Sequence, residues 1–308
     1  MQKDAYVVVV GGVNVDICGK SAQKLIPCDS NPGTVRLSLG GVGRNIAHNL
    51  ALLGANVKLL TALGDDLYAA KVRESCGALG IDLTHARVVP HGATSTYLVL
   101  TEPDGDVALA LCDAEIAREI TPAYLQENLA LLNGAAAVVA ETNLPEQALE
   151  YLAAHCTAPI YADPVSVTKA EKLRPILSRL QGLKPNKLEA ELLTHTKIET
   201  ERDLDRAAEL LLAAGVKQVF ISLGAKGLLC ATKDECFRTP CYPTVLKNAT
   251  GGGDASMAAL VYGCMLGLPL HDAARLALAA GAIAVESEQT INPAMSLANA
   301  AARAGVNI

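Results

Sequence analysis

Residues 248–255, Asn-Ala-Thr-Gly-Gly-Gly-Asp-Ala, bring together the residue types with the most evident chemistry. Gly251, Gly252 and Gly253 leave backbone N–H groups bare for an anion, and Asp254 arrives where a helical pattern begins. Thr250 before them and the small, apolar run Ala255 to Leu266 after them predict a loop feeding a buried helix. Such a place can neutralise a phosphate. The same octet also reads as a flexible turn followed by a capping Asp, so residues elsewhere must decide.

Four other stretches offer partners for that chemistry. In Val13-Asn14-Val15-Asp16, the polar residues alternate and share one face if the strand runs on, available to a polyol; a turn is the other reading. Gly40-Gly41-Val42-Gly43-Arg44-Asn45 opens an apolar-periodic helix over Ile46 to Leu53, stopped by Gly54, with Gly41 allowing close approach and Asn45 in the first turn. Asn186 with Glu189 three residues on matches a capping box, while Glu189 also suits a water-mediated ligand of Mg²⁺, an ion that keeps most of its waters. Ser222-Leu223-Gly224-Ala225-Lys226-Gly227 reads as a hairpin turn or as a nucleotide contact. The P-loop pattern is absent, as is a Gly-x-Gly-x-x-Gly after the first strand, which argues against those two nucleotide-binding mechanisms.

The elements that must position these residues follow from pattern. Tyr6 to Val10, closed by two glycines, predicts a buried first strand. From residue 57, strands (Val57 to Leu63, Ala136 to Ala140, Pro159 to Ala162, Gly182 to Lys184, Gln218 to Ser222, Gly227 to Ala231) alternate with helices (Leu67 to Leu79, Leu144 to His155, Lys187 to Leu193, Leu204 to Ala214). That alternation predicts a parallel sheet covered on both faces, with ligands at the strand C-terminal ends. Residues 17–39 and 93–112, strand-like with a hairpin turn at Glu102 to Asp106, predict a small antiparallel sheet placed as a lid on a single domain over 1–308.

Composition narrows the partners. The chain is 51% hydrophobic with no Trp and two Phe, so the core is aliphatic. A net charge of −6, without Lys/Arg runs or stacking aromatics, argues against nucleic acid and for a small molecule. Nine scattered cysteines with no Cys-x-x-Cys predict reduced thiols in the cytoplasm, and the six histidines lack metal-ligand spacing. No segment reads as membrane-spanning, and the N-terminal apolar run is too short for a signal peptide.

In this order, Gly40-Gly41 with Asn45, Lys184-Pro185-Asn186 with Glu189, Ser222-x-Gly224-x-x-Gly227, and Thr250-Gly251-Gly252-Gly253-Asp254 resemble the ribokinase-like (PfkB) family of carbohydrate and nucleoside kinases. The resemblance implies an α/β fold with three α/β/α layers, a mostly parallel central sheet and a small β-sheet lid. It implies ATP and Mg²⁺ as cofactors and transfer of a phosphoryl group to a primary hydroxyl. Asp29-Ser30-Asn31-Pro32-Gly33, Gly40 to Ala47 leading into Asn49 to Gly54, and Asp163-Pro164-Val165-Ser166 narrow the likeness toward a nucleoside substrate.

The resemblance also assigns roles. Asp254 accepts the proton of the ribose 5′-hydroxyl, and the N–H groups of Gly251 to Asp254 form an anion hole whose helix dipole keeps Asp254 ionised. Asn14, Asp16, Gly41 and Asn45 hold the 2′ and 3′ hydroxyls; Ser30 and Thr96, from the lid, cover the base. Asn186, Ser222, Gly224, Gly227 and Thr250 contact the nucleotide, and Glu189 reaches the metal. Many members carry Asp-Thr where this chain has Asn248-Ala249, so the K⁺ activation known in relatives stays an open option. Pairing of lid sheets implies a homodimer. Other readings are ribokinase or another sugar or nucleoside kinase, and a nucleoside-binding sensor without catalysis.

Overall fold

The computed structural model describes residues 5–308. Its strands are β1 (Tyr6–Val10), β2 (Asn14–Ser21), β3 (Gly33–Gly40), β4 (Asn56–Leu60), β5 (Ala62–Leu63), β6 (Arg87–Val88), β7 (Thr96–Thr101), β8 (Val107–Asp113), β9 (Ala137–Glu141), β10 (Ile160–Asp163), β11 (Gly182–Leu183), β12 (Gln218–Ser222), β13 (Leu228–Ala231) and β14 (Cys236–Thr239). Its helices are α1 (Val42–Leu52), α2 (Leu67–Ala78), α3 (Pro122–Glu127), α4 (Leu129–Asn133), α5 (Glu146–His155), α6 (Val167–Ala170), α7 (Lys187–Thr194), α8 (Glu201–Ala213), α9 (Gly252–Met265), α10 (Leu270–Val285) and α11 (Leu297–Ala304).

The central sheet has eight strands in the order β14-β13-β12-β11-β10-β9-β1-β4. All pairs from β4 to β12 are parallel; β13 and β14 add an antiparallel edge. The four valines of β1 are fully buried because both faces are covered, as a parallel strand requires. Val7 and Val9 pack with Ile46 and Leu50 of α1 and the alanines of α9 and α10. Val8 and Val10 face the other layer, with Leu125 of α3, Leu149 of α5, Ala190 of α7 and Leu204 of α8. A strand's two-residue period thus divides one run of valines between two helical layers.

Glycine sets how closely the helices approach this sheet. α1 begins at Val42, four residues before the apolar period predicts, because Gly43 belongs to the helix rather than to a loop. A Cβ on Gly43 would come within 2.7 Å of Gly11 Cα, so the helix start rests directly on the chain leaving β1. The predicted strand Val57 to Leu63 divides after Leu60: β4 stays in the central sheet, while β5 turns to pair with β6.

The smaller sheet runs β3-β2-β7-β8. Its outer pairs are antiparallel, but β2 and β7 are parallel, which corrects the expectation of an antiparallel sheet. Both strands leave the core at the same edge, joined at their roots where Val15 N donates to Ser95 O at 2.9 Å, so they must point the same way. Register places Asp16 beside Ser38 and Tyr97 on one face. Ile17, Val35, Leu37, Leu98, Leu100, Leu109 and Leu111 share the other. Val35, Leu109 and Leu111 on that face are 75%, 55% and 60% exposed. No helix of the described residues is long and apolar enough to cross a membrane.

Candidate active site

Polar residues collect where the parallel strands end. Glu141 and Asp163 close β9 and β10, Lys184 follows β11, and Gly11 to Asn14 lead from β1 into β2. Across this edge lies the start of α9, with Gly251 as N-cap at φ 87 and Asp254 in the first turn. A Cβ on Gly251 would lie 2.2 Å from Thr290 O, so only glycine fits; one on Gly253 would meet only Lys184 Nζ, at 3.9 Å, leaving that position open. The N–H groups of this first turn have no partner within the helix, as at any helix start.

Asp254 is tied to α1 by a hydrogen bond from Asn45 Nδ2 to its Oδ2 at 2.9 Å. Burial, helped by the charge of Asp163, pushes its carboxyl up to about 7, against the Asn45 hydrogen bond and the positive charge of Lys184. Loss of water thus works against the helix dipole, which favours the ionised carboxylate. Asn45 Oδ1 is buried without a hydrogen-bond partner.

Asn14 donates to Asp16 Oδ1 at 2.5 Å, so the two sequence candidates do meet on one face. Burial raises the Asp16 carboxyl, opposed by that hydrogen bond and by the charge of Arg44. Asp16 Oδ2 lies 2.3 Å from where a Cβ on Gly40 would stand, so the carboxylate rests on bare backbone. Gly41 caps α1 at φ 92, and a Cβ there would meet Gly12 O at 2.5 Å and Val13 Cα at 2.7 Å.

Asn186 and Glu189 form the full capping box of α7: Glu189 N donates to Asn186 Oδ1 at 2.9 Å and Asn186 N donates to Glu189 Oε2 at 2.8 Å. One oxygen of Glu189 is committed there, which leaves Oε1 available to a water-shelled cation. Among the described residues no group of three or more His, Cys, Asp or Glu could hold a metal directly. Ser222 bridges to Asn186, and its hydroxyl donates to Pro185 O at 3.3 Å. Gly224 and Gly227, at φ 58 and 103, shape the turn between β12 and β13, so the hairpin reading of this stretch holds. Asn186, Ser222 and Gly224 line one cavity of about 340 Å³, together with Thr200, the N-cap of α8, and Leu204.

Not every candidate converges. Thr250 is exposed, and its N–H donates to Asn248 Oδ1 at 2.9 Å. Asn248 Nδ2 in turn donates to Glu288 O at 3.1 Å, so this amide serves to close the loop. Ser30 sits exposed in the 22–32 loop, where its N–H donates to Asp29 Oδ1. Thr96 pairs with Val15, on the opposite face to Asp16; Tyr97 is the residue on the Asp16 side.

Three buried charges carried no role of their own in the sequence reading, although Asp163 and Lys184 stand in stretches that carry the family resemblance. Glu141 is fully buried and accepts from Gly12 N at 2.5 Å and Asn143 N at 2.7 Å; burial raises its carboxyl. Lys184 Nζ meets Asp163 Oδ2 at 3.1 Å, both side chains at most 10% exposed. Their shared signal in the sequence was a charged residue ending each of three apolar strands.

This combination of three layers, a second sheet at the strand ends and a glycine-led helix carrying a buried carboxylate defines a class. The chain belongs to the pfkB family of carbohydrate kinases, whose profile matches residues 4–297. It is therefore a phosphotransferase acting on a hydroxyl group. Among its relatives, the pseudouridine kinase of Escherichia coli (strain K12) is 35% identical over 302 residues, covering 97% of this chain and 96% of that protein. An uncharacterised sugar kinase of the same strain, YeiI, is 37% identical, covering 97% and 83%. The solved structure of Arabidopsis thaliana ribokinase, complexed with ribose and ATP, superposes with a TM-score of 0.87 at 22% identity, covering 98% of this chain and 99% of that one, which establishes the ribokinase-like fold.

Proposed function

We propose that this chain phosphorylates the ribose 5′-hydroxyl of pseudouridine with ATP, giving pseudouridine 5′-phosphate and ADP. The observation that carries the chemistry is Asp254, buried at the first turn of α9 and hydrogen-bonded to Asn45. The choice of nucleoside rests on likeness to the E. coli pseudouridine kinase over nearly the whole chain.

Asn14 and Asp16 hold the ribose hydroxyls with Gly41 and Asn45. Asp254 takes the proton of the 5′-hydroxyl as that oxygen attacks the γ-phosphorus. The N–H groups of Gly251 to Asp254 donate to the oxygens of the transferring group. Asn186, Ser222, Gly224, Gly227 and Thr250 bind the nucleotide. Glu189 would hold a magnesium ion through water, and that ion would supply positive charge to the nucleotide phosphates. Asn248 is neutral and its oxygen already accepts from Thr250 N, which argues against a K⁺ requirement.

The smaller sheet serves as a lid, with Ser30 on its loop and Tyr97, on the Asp16 side in place of Thr96, placed toward the base. Its outer apolar face, with Val35, Leu109 and Leu111 exposed, supports a homodimer formed lid to lid. All nine cysteines are unpaired, which suits a reducing, cytoplasmic setting.

Assay with Mg-ATP and a panel of pseudouridine, uridine, adenosine, ribose and fructose phosphates is expected to give the highest kcat/KM for pseudouridine. Preference for ribose or adenosine would overturn the substrate and leave the kinase. With a base whose carboxyl lies at about 7, kcat/KM should rise with pH through that value and level above it. At about pH 6, roughly a tenth of the base is ionised. A profile flat across this range removes Asp254 from the role of base.

A further inference from the structure

Lys184 is the one buried lysine among the described residues, and the active-site roles above leave it without a task. It follows β11 directly, and its backbone N–H donates to Ala162 O at 3.2 Å, which aims the side chain across the strand ends. Its Nζ lies 3.1 Å from Asp163 Oδ2 and 3.9 Å from where a Cβ on Gly253 would stand. Apart from the flanking residues and the helix's own backbone, no other heavy atom comes within 4 Å of that point, so the ammonium borders the open side of the anion-binding turn.

Asp163 is held for this contact from its other side. Its Oδ1 accepts from Val165 N at 2.9 Å, which requires the chain to turn back at once. Val165 makes that turn at φ 62, a conformation costly for a β-branched residue. An ammonium carries three donors, and Asp163 takes one. A buried ion pair adds little stability over apolar residues of the same size. Strain spent to fix one charge beside a bare helix start points to a ligand.

We propose that Lys184 Nζ donates to an oxygen of the transferring phosphoryl group, beside the Gly253 N–H, and that Asp163 is its positioning residue. The inference rests on the kinase reading above. In the step, the bond from γ-phosphorus to the bridging oxygen of ADP breaks and a bond to the acceptor oxygen forms. The acceptor's proton passes to Asp254, and Lys184 stays an ammonium throughout.

The test compares Lys184→Met, Lys184→Arg and the double variant Asp163→Asn/Lys184→Met in two measurements: steady-state kinetics, and affinity for ADP with and without aluminium fluoride, a mimic of the transferring group. Lys184→Met should lower kcat by about 100-fold, the cost of losing one donor to a developing anion, with nucleoside KM little changed. The tightening of ADP binding by fluoride should vanish, and Lys184→Arg should restore part of both. The double variant leaves no unpaired buried charge, so it separates chemistry from folding and serves if Lys184→Met does not fold. It should stay as slow as Lys184→Met. Parental turnover in the double variant, or fluoride tightening that survives loss of the lysine, would overturn the proposal. If the parent prefers another acceptor, only the substrate reading fails and the comparison runs on that acceptor. A parent with neither transfer nor fluoride tightening ends both.

Discussion

Asp254→Asn is expected to lower kcat by about 10³-fold, within the range for removing a general base. The substitution keeps shape and leaves an oxygen for Asn45 Nδ2, so the loss reports proton transfer rather than collapse of the site. Stability should move the other way. The folded state raises this carboxyl from 3.8 to about 7, so it holds a proton more tightly than the unfolded chain does. Stability therefore falls as pH rises between those values, and the penalty stands in full above them. At a pH above 7 the variant should melt higher than the parent. Activity lost while stability is gained marks a residue kept for function. Turnover and melting temperature at one alkaline pH check both halves; parental turnover removes Asp254 from the role of base.

The second large effect is expected at Gly41. Gly41→Ala places a methyl group where Gly12 O, Val13 Cα and Asn14 N stand 2.5, 2.7 and 2.9 Å away, on a backbone at φ 92 that alanine avoids. All three neighbours are backbone, so nothing flexible can move aside. The cost should be about 2–4 kcal/mol, combining the conformational penalty with the clash. The relief available is for α1 to lift off the turn after β1, which carries Asn45 away from Asp254 and Asn14 from its place. Denaturant unfolding should show the loss, and nucleoside KM should rise with it. A variant of parental stability and KM would mean that this helix start is freer than its contacts indicate.

Much of this was legible in the residues. β1, β9, β10 and β12 fall within a residue or two of the runs that predict them, because a strand buried on both faces writes itself as continuous aliphatic sequence. The α7 capping box was readable because both partners lie within four positions. What did not show was anything held by distant partners. That β2 and β7 run parallel depends on both leaving the core at one edge, which no local pattern encodes. Thr96 was off by one residue, since the face of a strand is set by its register with β2. Glu141, Asp163 and Lys184 each look like an isolated charge until β9, β10 and β11 are laid side by side. The raised carboxyl of Asp254 is likewise a property of burial, which the glycines before it do not foretell.

The hydrogen bond between Asn45 and Asp254 spans 209 positions. On a ribosome, α1 is complete long before the residues that pack against Ile46 and Leu50 have been made, because those partners include Ala255 and Ala258 of α9. The first helical layer must wait with an aliphatic surface uncovered while some 200 further residues emerge. Bringing such remote segments together carries a loop-closure cost before any contact repays it, so this docking is slow relative to the local hairpins. The step that seals the first layer is also the one that brings the base to the sugar-binding residues. The chain becomes an enzyme only in the act of finishing its fold, and its incomplete forms present sticky helices and no catalysis.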